Sequence, residues 1–147
     1  QPDRIMDLLV FGGETPPAVN QVKTHPFCQQ IDNQALLQEN NIQIESWSPF
    51  AEGRNGIFHN ELLVSLASKY EKSVAQIILR WLTQRGVVVI PKSVRKERMV
   101  ENFNSLDFEL NEADMEGIKN LDTKTSLFFD HRNTEIIKWM GSRKLDI

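Results

Sequence analysis

Lys92, Arg95, Lys96 and Arg98 place four positive charges within seven residues, in the stretch Pro91-Lys92-Ser93-Val94-Arg95-Lys96-Glu97-Arg98. Such a cluster suits a phosphate group. Arginine can grip a phosphate through two parallel N–H bonds, and a serine hydroxyl can add a further one. The setting points the same way. The stretch follows an apolar run, Val87-Val88-Val89-Ile90, and leads into a helical pattern over residues 95–105. A strand end that hands over to a helix offers unpaired backbone N–H groups and the positive end of the helix dipole. The same charges also fit a solvated helix start, and charge pattern alone leaves both readings open. Two more polar groupings close apolar runs: Gln21, Lys23 and Thr24 end one, and Trp47-Ser48 end another. Taken singly, Gln21 also reads as a partner for backbone groups and Trp47 as plain core.

The elements that must position these residues alternate. Ile5, Leu8 and Leu9 recur at helical spacing over residues 3–11, and Gly12-Gly13 stop them. Pro16-Pro17 make a rigid connector. Ala18 to Thr24 reads as a strand, ended by His25-Pro26. Asp32 is the expected N-cap of a helix carrying Ala35, Leu36 and Leu37. Ile42 to Ser48 is a second strand, ended by Pro49, and 51–56 is a polar, glycine-containing loop. Glu61 to Tyr70 is helical. Ser73 and Gln76 form a Ser-x-x-Gln capping box ahead of Val74, Ile77, Ile78, Trp81 and Leu82, and Gly86 ends that helix. Val87 to Ile90 is expected as a strand buried on both faces. Asn111 caps a further helix, and a short one is expected over about 134–141.

Helix and strand in alternation imply parallel strands joined by crossovers. No Gly-x-Gly-x-x-Gly follows any strand, which disfavours an open dinucleotide-binding sheet. The other main solution is a (β/α)8 TIM barrel, which needs about 250 residues. A chain of 147 residues would hold only its C-terminal portion, about three parallel strands with flanking helices. The opening Gln1-Pro2-Asp3-Arg4 lacks an initiator Met, and the expectation is a chain cut from something longer.

Composition narrows the classes. Hydrophobic residues are 40%, charged residues 25% and the net charge is -3, an ordinary globular balance that argues against a general nucleic-acid binder. No apolar run approaches the roughly 18 residues of a membrane span. A single cysteine, Cys28, cannot make an internal disulfide, which fits a reducing, cytoplasmic setting. No metal-ligand spacing surrounds it.

Lys92-Ser93-Val94 with Arg98, Glu101 and Asn102 closely resembles the cofactor signature of the aldo-keto reductases. So do Ala18-Val19-Asn20-Gln21-Val22, His25-Pro26, Trp47-Ser48-Pro49 and the run from Val74 to Gly86. The resemblance extends from Gln1 to at least Asp122, and the tail with Asp130-His131-Arg132 and Trp139 is similar to small bacterial and yeast-type members. It implies a (β/α)8 barrel that reduces aldehydes and ketones with NADPH, without metal or flavin. It also implies a division into 1–122, a partial barrel with the NADP-binding motif, and 123–147, a tail near the substrate pocket.

The resemblance assigns roles. Trp47 stands where a ring, usually Tyr, stacks on the nicotinamide. Gln21 bonds the carboxamide, and Ser48 and Phe50 line the pyrophosphate path. Lys92, Ser93 and Arg98 hold the 2'-phosphate, with Val94 between them in the motif, and Glu101 and Asn102 meet the adenine. The loop from Ala51 to Asn60 folds over the pyrophosphate. Phe128, Phe129 and Trp139 help shape a pocket for a small carbonyl substrate. The family's catalytic Asp, Tyr, Lys and His map onto nothing here, since Tyr70 lies on an apolar helix face and His25, His59 and His131 lack the matching motif. No catalytic residue is therefore assigned, and the chain alone is expected to be inactive. The alternative is a non-catalytic nucleotide-binding or assembly module that self-associates through exposed barrel edges. A remnant without retained activity fits the same sequence.

Overall fold

The computed structural model describes residues 2–125 and 133–143. Phe128, Phe129 and the Asp130-His131-Arg132 motif lie outside the described residues. Among the described residues, seven α-helices and three strands follow in the order α1 Pro2–Phe11, β1 Val19–Lys23, α2 Ile31–Glu39, β2 Gln43–Trp47, α3 Glu61–Tyr70, α4 Val74–Gln84, β3 Val88–Val89, α5 Lys96–Phe103, α6 Glu112–Lys119 and α7 Thr134–Ser142. The strands form one parallel sheet in the order β1-β2-β3. Gln21 lies beside Glu45, Lys23 beside Trp47, and Glu45 beside Val88. The strand ends therefore share one edge of the sheet, which is where parallel α/β folds carry their chemistry.

One face of the sheet is buried and the other is open. Ile44 and Ser46 are fully covered by the helices. Below them Leu37, Leu63, Ile77, Ile78, Trp81 and Leu82 build the core, each such side chain contributing about 1.5–3 kcal/mol by leaving water. Successive strand residues alternate faces, so Val19, Gln21, Lys23, Gln43, Glu45, Trp47 and Val88 share the other side. There Val19 and Val88 are exposed, while the end of β1 is closed over Lys23.

Local chemistry sets the helix ends. In α4 the Ser73 side chain accepts from the Gln76 N–H while the Gln76 side chain accepts from the Ser73 N–H, which is the expected capping box. Gly86, at φ +76°, closes α4: its N–H bonds Thr83 O and the Val87 N–H bonds Leu82 O, a Schellman stop. Asn60 and Asn111 cap α3 and α6 through their side chains.

Several expectations need correction. Asp32 does not cap α2; Gln30 does, in a left-handed conformation (φ 56°) and without a side-chain bond, which leaves Asp32 inside the first turn. The strand expected over 87–90 shrinks to Val88–Val89 and is not buried on both faces, because Val88 and Ile90 face outward while Val87 is buried. The helix expected over 95–105 ends at Phe103, and a 3-10 turn, Asn104–Leu106, completes the span. The loop after β2 is a pair of 3-10 turns across Ala51–His59, broken by Glu52 to Gly56, where four of five residues have positive φ.

Candidate functional site at the strand ends

Each strand delivers part of a polar rim. On β1 and β2, Gln21 and Glu45 sit side by side on the open face, and the Gln21 Nε2 donates to Glu45 Oε1 at 2.5 Å. Two residues further along, Lys23 adjoins a half-buried Trp47. Burial pushes the Lys23 ammonium below its ordinary pKa, with the nearby Cys28 opposing that shift.

Ser48 follows at φ 53°, a turn out of the sheet, and its Oγ is buried without a hydrogen-bond partner among the described residues. Phe50 is half-buried and packs on Phe58 with ring centroids 5.8 Å apart, which pins the turns of Ala51–His59 against the end of β2.

Beyond β3 the basic stretch is laid bare. Lys92, Arg95, Lys96 and Arg98 are exposed, and none of them is ion-paired among the described residues. Lys69, Lys72, Arg80 and Lys119, by contrast, all have carboxylate partners. The N-terminus of α5 carries no side-chain cap; Arg95 occupies that position. Ser93 is half-buried and its Oγ accepts from the Arg95 N–H at 3.2 Å, which folds the strand end into the helix start. Val94 points out and is 78% exposed. Glu101 and Asn102 are half-buried further along α5, and the Glu101 carbonyl accepts from Gln76 Nε2, which ties α5 to α4.

The parallel register thus carries Gln21, Trp47 and Ser48 to one sheet edge, and the basic stretch leaves β3 at that same edge. Trp139, on α7, is 56% exposed and stacks on Arg143. Glu45 is the site residue that sequence reading missed. The signal was available: it lies two residues before Trp47 and so shares its face.

The donor set suits a nucleotide with several phosphates. It combines unpaired cations, an uncapped helix start, an orphaned hydroxyl and an indole face. No group of three or more metal-binding side chains occurs among the described residues, and no described helix is long and apolar enough to cross a membrane. Two cavities of about 310 and 510 Å³ lie around Gln29, Ile31 and Lys119, and neither is lined by Gln21, Trp47 or the basic stretch.

Residues 57–123 match the model of the Aldo/keto reductase family. Glyoxal reductase of Bacillus subtilis (strain 168) is 43% identical over 113 residues, which are 77% of this chain and 40% of that protein. Among solved structures, MGS-M4, an aldo-keto reductase from a Medee basin deep-sea metagenome library, superposes with a TM-score of 0.84 at 37% identity, covering 89% of this chain and 48% of the other. An aldo-keto reductase of Bombyx mori in complex with NADP superposes with a TM-score of 0.77 at 31% identity, covering 85% and 43%. The chain spans less than half the length of each of these relatives.

Proposed function

The chain belongs to the aldo/keto reductase family and has the fold of part of its TIM barrel, and on that premise we propose that it carries the NADP(H)-binding portion of an enzyme that reduces small aldehydes and ketones to alcohols. One observation carries the reading most directly. Four cations stand without an ion pair among the described residues at the end of β3, in a protein whose net charge is -3. An additional dianionic phosphate is what such a cluster distinguishes, so the preference is for NADP(H) over NAD(H).

In this reading Lys92, Ser93 and Arg98 hold the 2'-phosphate, Val94 keeps their spacing, and Glu101 and Asn102 meet the adenine. Ser48 gives its orphaned hydroxyl to the pyrophosphate path beside Phe50. Trp47 offers its ring face to the nicotinamide, and Gln21 bonds the carboxamide. The nicotinamide, when bound, supplies the hydride. The residues of this chain bind it, orient it and keep water from one side of it.

No group here is placed as the proton donor. The Tyr70 hydroxyl donates to Asp114 and accepts from the Asn111 N–H at 3.1 Å, so it is engaged in holding α3 to α6. Burial works to raise the Asp114 carboxyl, but hydrogen bonds from Lys69 and Tyr70 outweigh it and hold that carboxyl below its ordinary pKa. The proposal therefore places proton transfer outside this chain. It assigns 1–122 to cofactor binding and 123–147 to the substrate side, in a cytoplasmic, metal-free protein.

Calorimetric titration tests the reading. NADP+ is expected to bind at least tenfold more tightly than NAD+, and Lys92→Ala with Arg98→Ala to abolish the difference, since hydrogen bonds to charged groups contribute about 1.5–3 kcal/mol each. Equal binding of the two cofactors by the unaltered chain would refute it. Carbonyl-dependent oxidation of NADPH by the chain alone would overturn the assignment of proton transfer elsewhere. A second reading, a nucleotide-binding or assembly module without catalysis, draws on the exposed apolar side chains of α5, Met99, Val100 and Phe103. Sedimentation as a stable compact monomer would count against it.

A further inference from the structure

We infer that Glu45 is a positioning residue: it fixes which end of the Gln21 carboxamide faces the cofactor, and so makes the site select for a ring substituent that can donate a hydrogen bond. The inference rests on the cofactor reading above and adds a residue and a specificity to it.

Gln21 and Glu45 are register partners on β1 and β2 and lie on the same, open face. The Gln21 Nε2 meets Glu45 Oε1 at 2.5 Å. An ionised carboxylate only accepts. The chemistry therefore settles the orientation of an amide that geometry alone often leaves ambiguous. With the amide reversed, two oxygens would face each other at that distance. The charge on Glu45 strengthens the bond roughly twofold over a neutral one. Glu45 has Val88 on its other flank, and it is not ion-paired among the described residues.

The consequence falls on the other end of Gln21. Its Oε1 has no hydrogen-bond partner among the described residues, and it is presented as an acceptor. A nicotinamide carboxamide can give it an N–H. An acetyl group at the same ring position cannot, because it carries a carbonyl and a methyl. The pair Glu45–Gln21 is thus a reader of the amide nitrogen.

Calorimetric titration with NADP+ and with its 3-acetylpyridine analogue tests this. The unaltered chain is expected to prefer NADP+ by about five- to tenfold, the size of one net neutral hydrogen bond. In Glu45→Gln, whose side chain can donate as well as accept, Gln21 can turn over. The ratio should then fall toward one while affinity for the analogue stays within about twofold. An unchanged ratio in that variant overturns the inference even though NADP+ binds.

A cofactor-free readout separates the two failures. In 15N-labelled protein the Gln21 side-chain amide, identified by its loss in Gln21→Leu, should be shifted downfield and should return to the ordinary position in Glu45→Leu. That shift without NADP+ binding would leave the Glu45–Gln21 pair standing and refute the cofactor reading. An ordinary position in the unaltered chain would refute the pairing.

Discussion

His25 gives the most quantitative expectation. It is fully buried at the end of β1, inside the turn in which the His25 N–H bonds Cys28 O and the Cys28 N–H bonds His25 O. Its Nδ1 accepts from the Phe27 N–H at 3.2 Å, while Nε2 has no partner among the described residues. The ring is therefore neutral with its proton on Nε2. Protonating Nδ1 would bury a charge and break the Phe27 bond together. Burial, reinforced by the Lys23 charge and opposed by Asp122, lowers its pKa from 6.5 to about 4.

The unfolded chain takes up this proton first, so stability is retained above pH 6.5 and lost as pH falls toward 4. The loss amounts to about 2 kcal/mol between pH 7 and 5 and about 3 kcal/mol by pH 4. Urea unfolding at pH 7 and pH 5 should show this loss in the unaltered chain. In His25→Gln most of it should vanish, although that variant starts less stable. Equal losses in both proteins would show that the buried neutral imidazole does not govern this window.

Four further outcomes follow from packing and burial. Ile77→Ala, at a fully buried core position, should cost about 2–5 kcal/mol in urea unfolding. Ser73→Ala should cost about 1 kcal/mol by removing one half of the α4 capping box. Gln76→Ala should cost more, because it also loses the bond to Glu101 and loosens α5; thermal melts of both variants check the order. Cys28 is buried, and that burial, against the opposing charge of Lys23, raises its thiol pKa. A thiol-specific reagent at pH 8 should therefore label it slowly until urea unfolds the chain.

Much of this architecture could be read in advance because the signals were local. The Ser73–Gln76 box, the Asn111 cap, the Gly86 stop and the two longer strands each depend on residues within a few positions of one another. The errors came where a local signal admits two geometries. Asp32 resembles a cap, but Gln30 takes the left-handed turn two residues earlier. The apolar run Val87 to Ile90 announces two faces to be covered, yet in this chain only the helix side of β3 is covered. Among the site residues, the basic stretch was visible as charge density. Glu45 could be placed on the face of Trp47 by strand alternation, but its pairing with Gln21, 24 residues away, depends on a register that composition does not specify. The network of Arg85, whose Nη2 bonds Gln29 O and Gln34 Oε1 while the guanidinium lies over Trp81, was equally hidden by distance along the chain.

Gln29 joins segments about ninety positions apart. Its side-chain nitrogen reaches Pro26 O, Ile118 O and Lys119 O, and its N–H bonds Asp122. Thr123 closes the same seam onto Phe27 O. The tip of the first strand and the finish of α6 are consequently riveted into a single block. Amide protons on both sides of that seam should exchange with solvent in unison, and shearing it at Gln29 would release the far segment and the near one together.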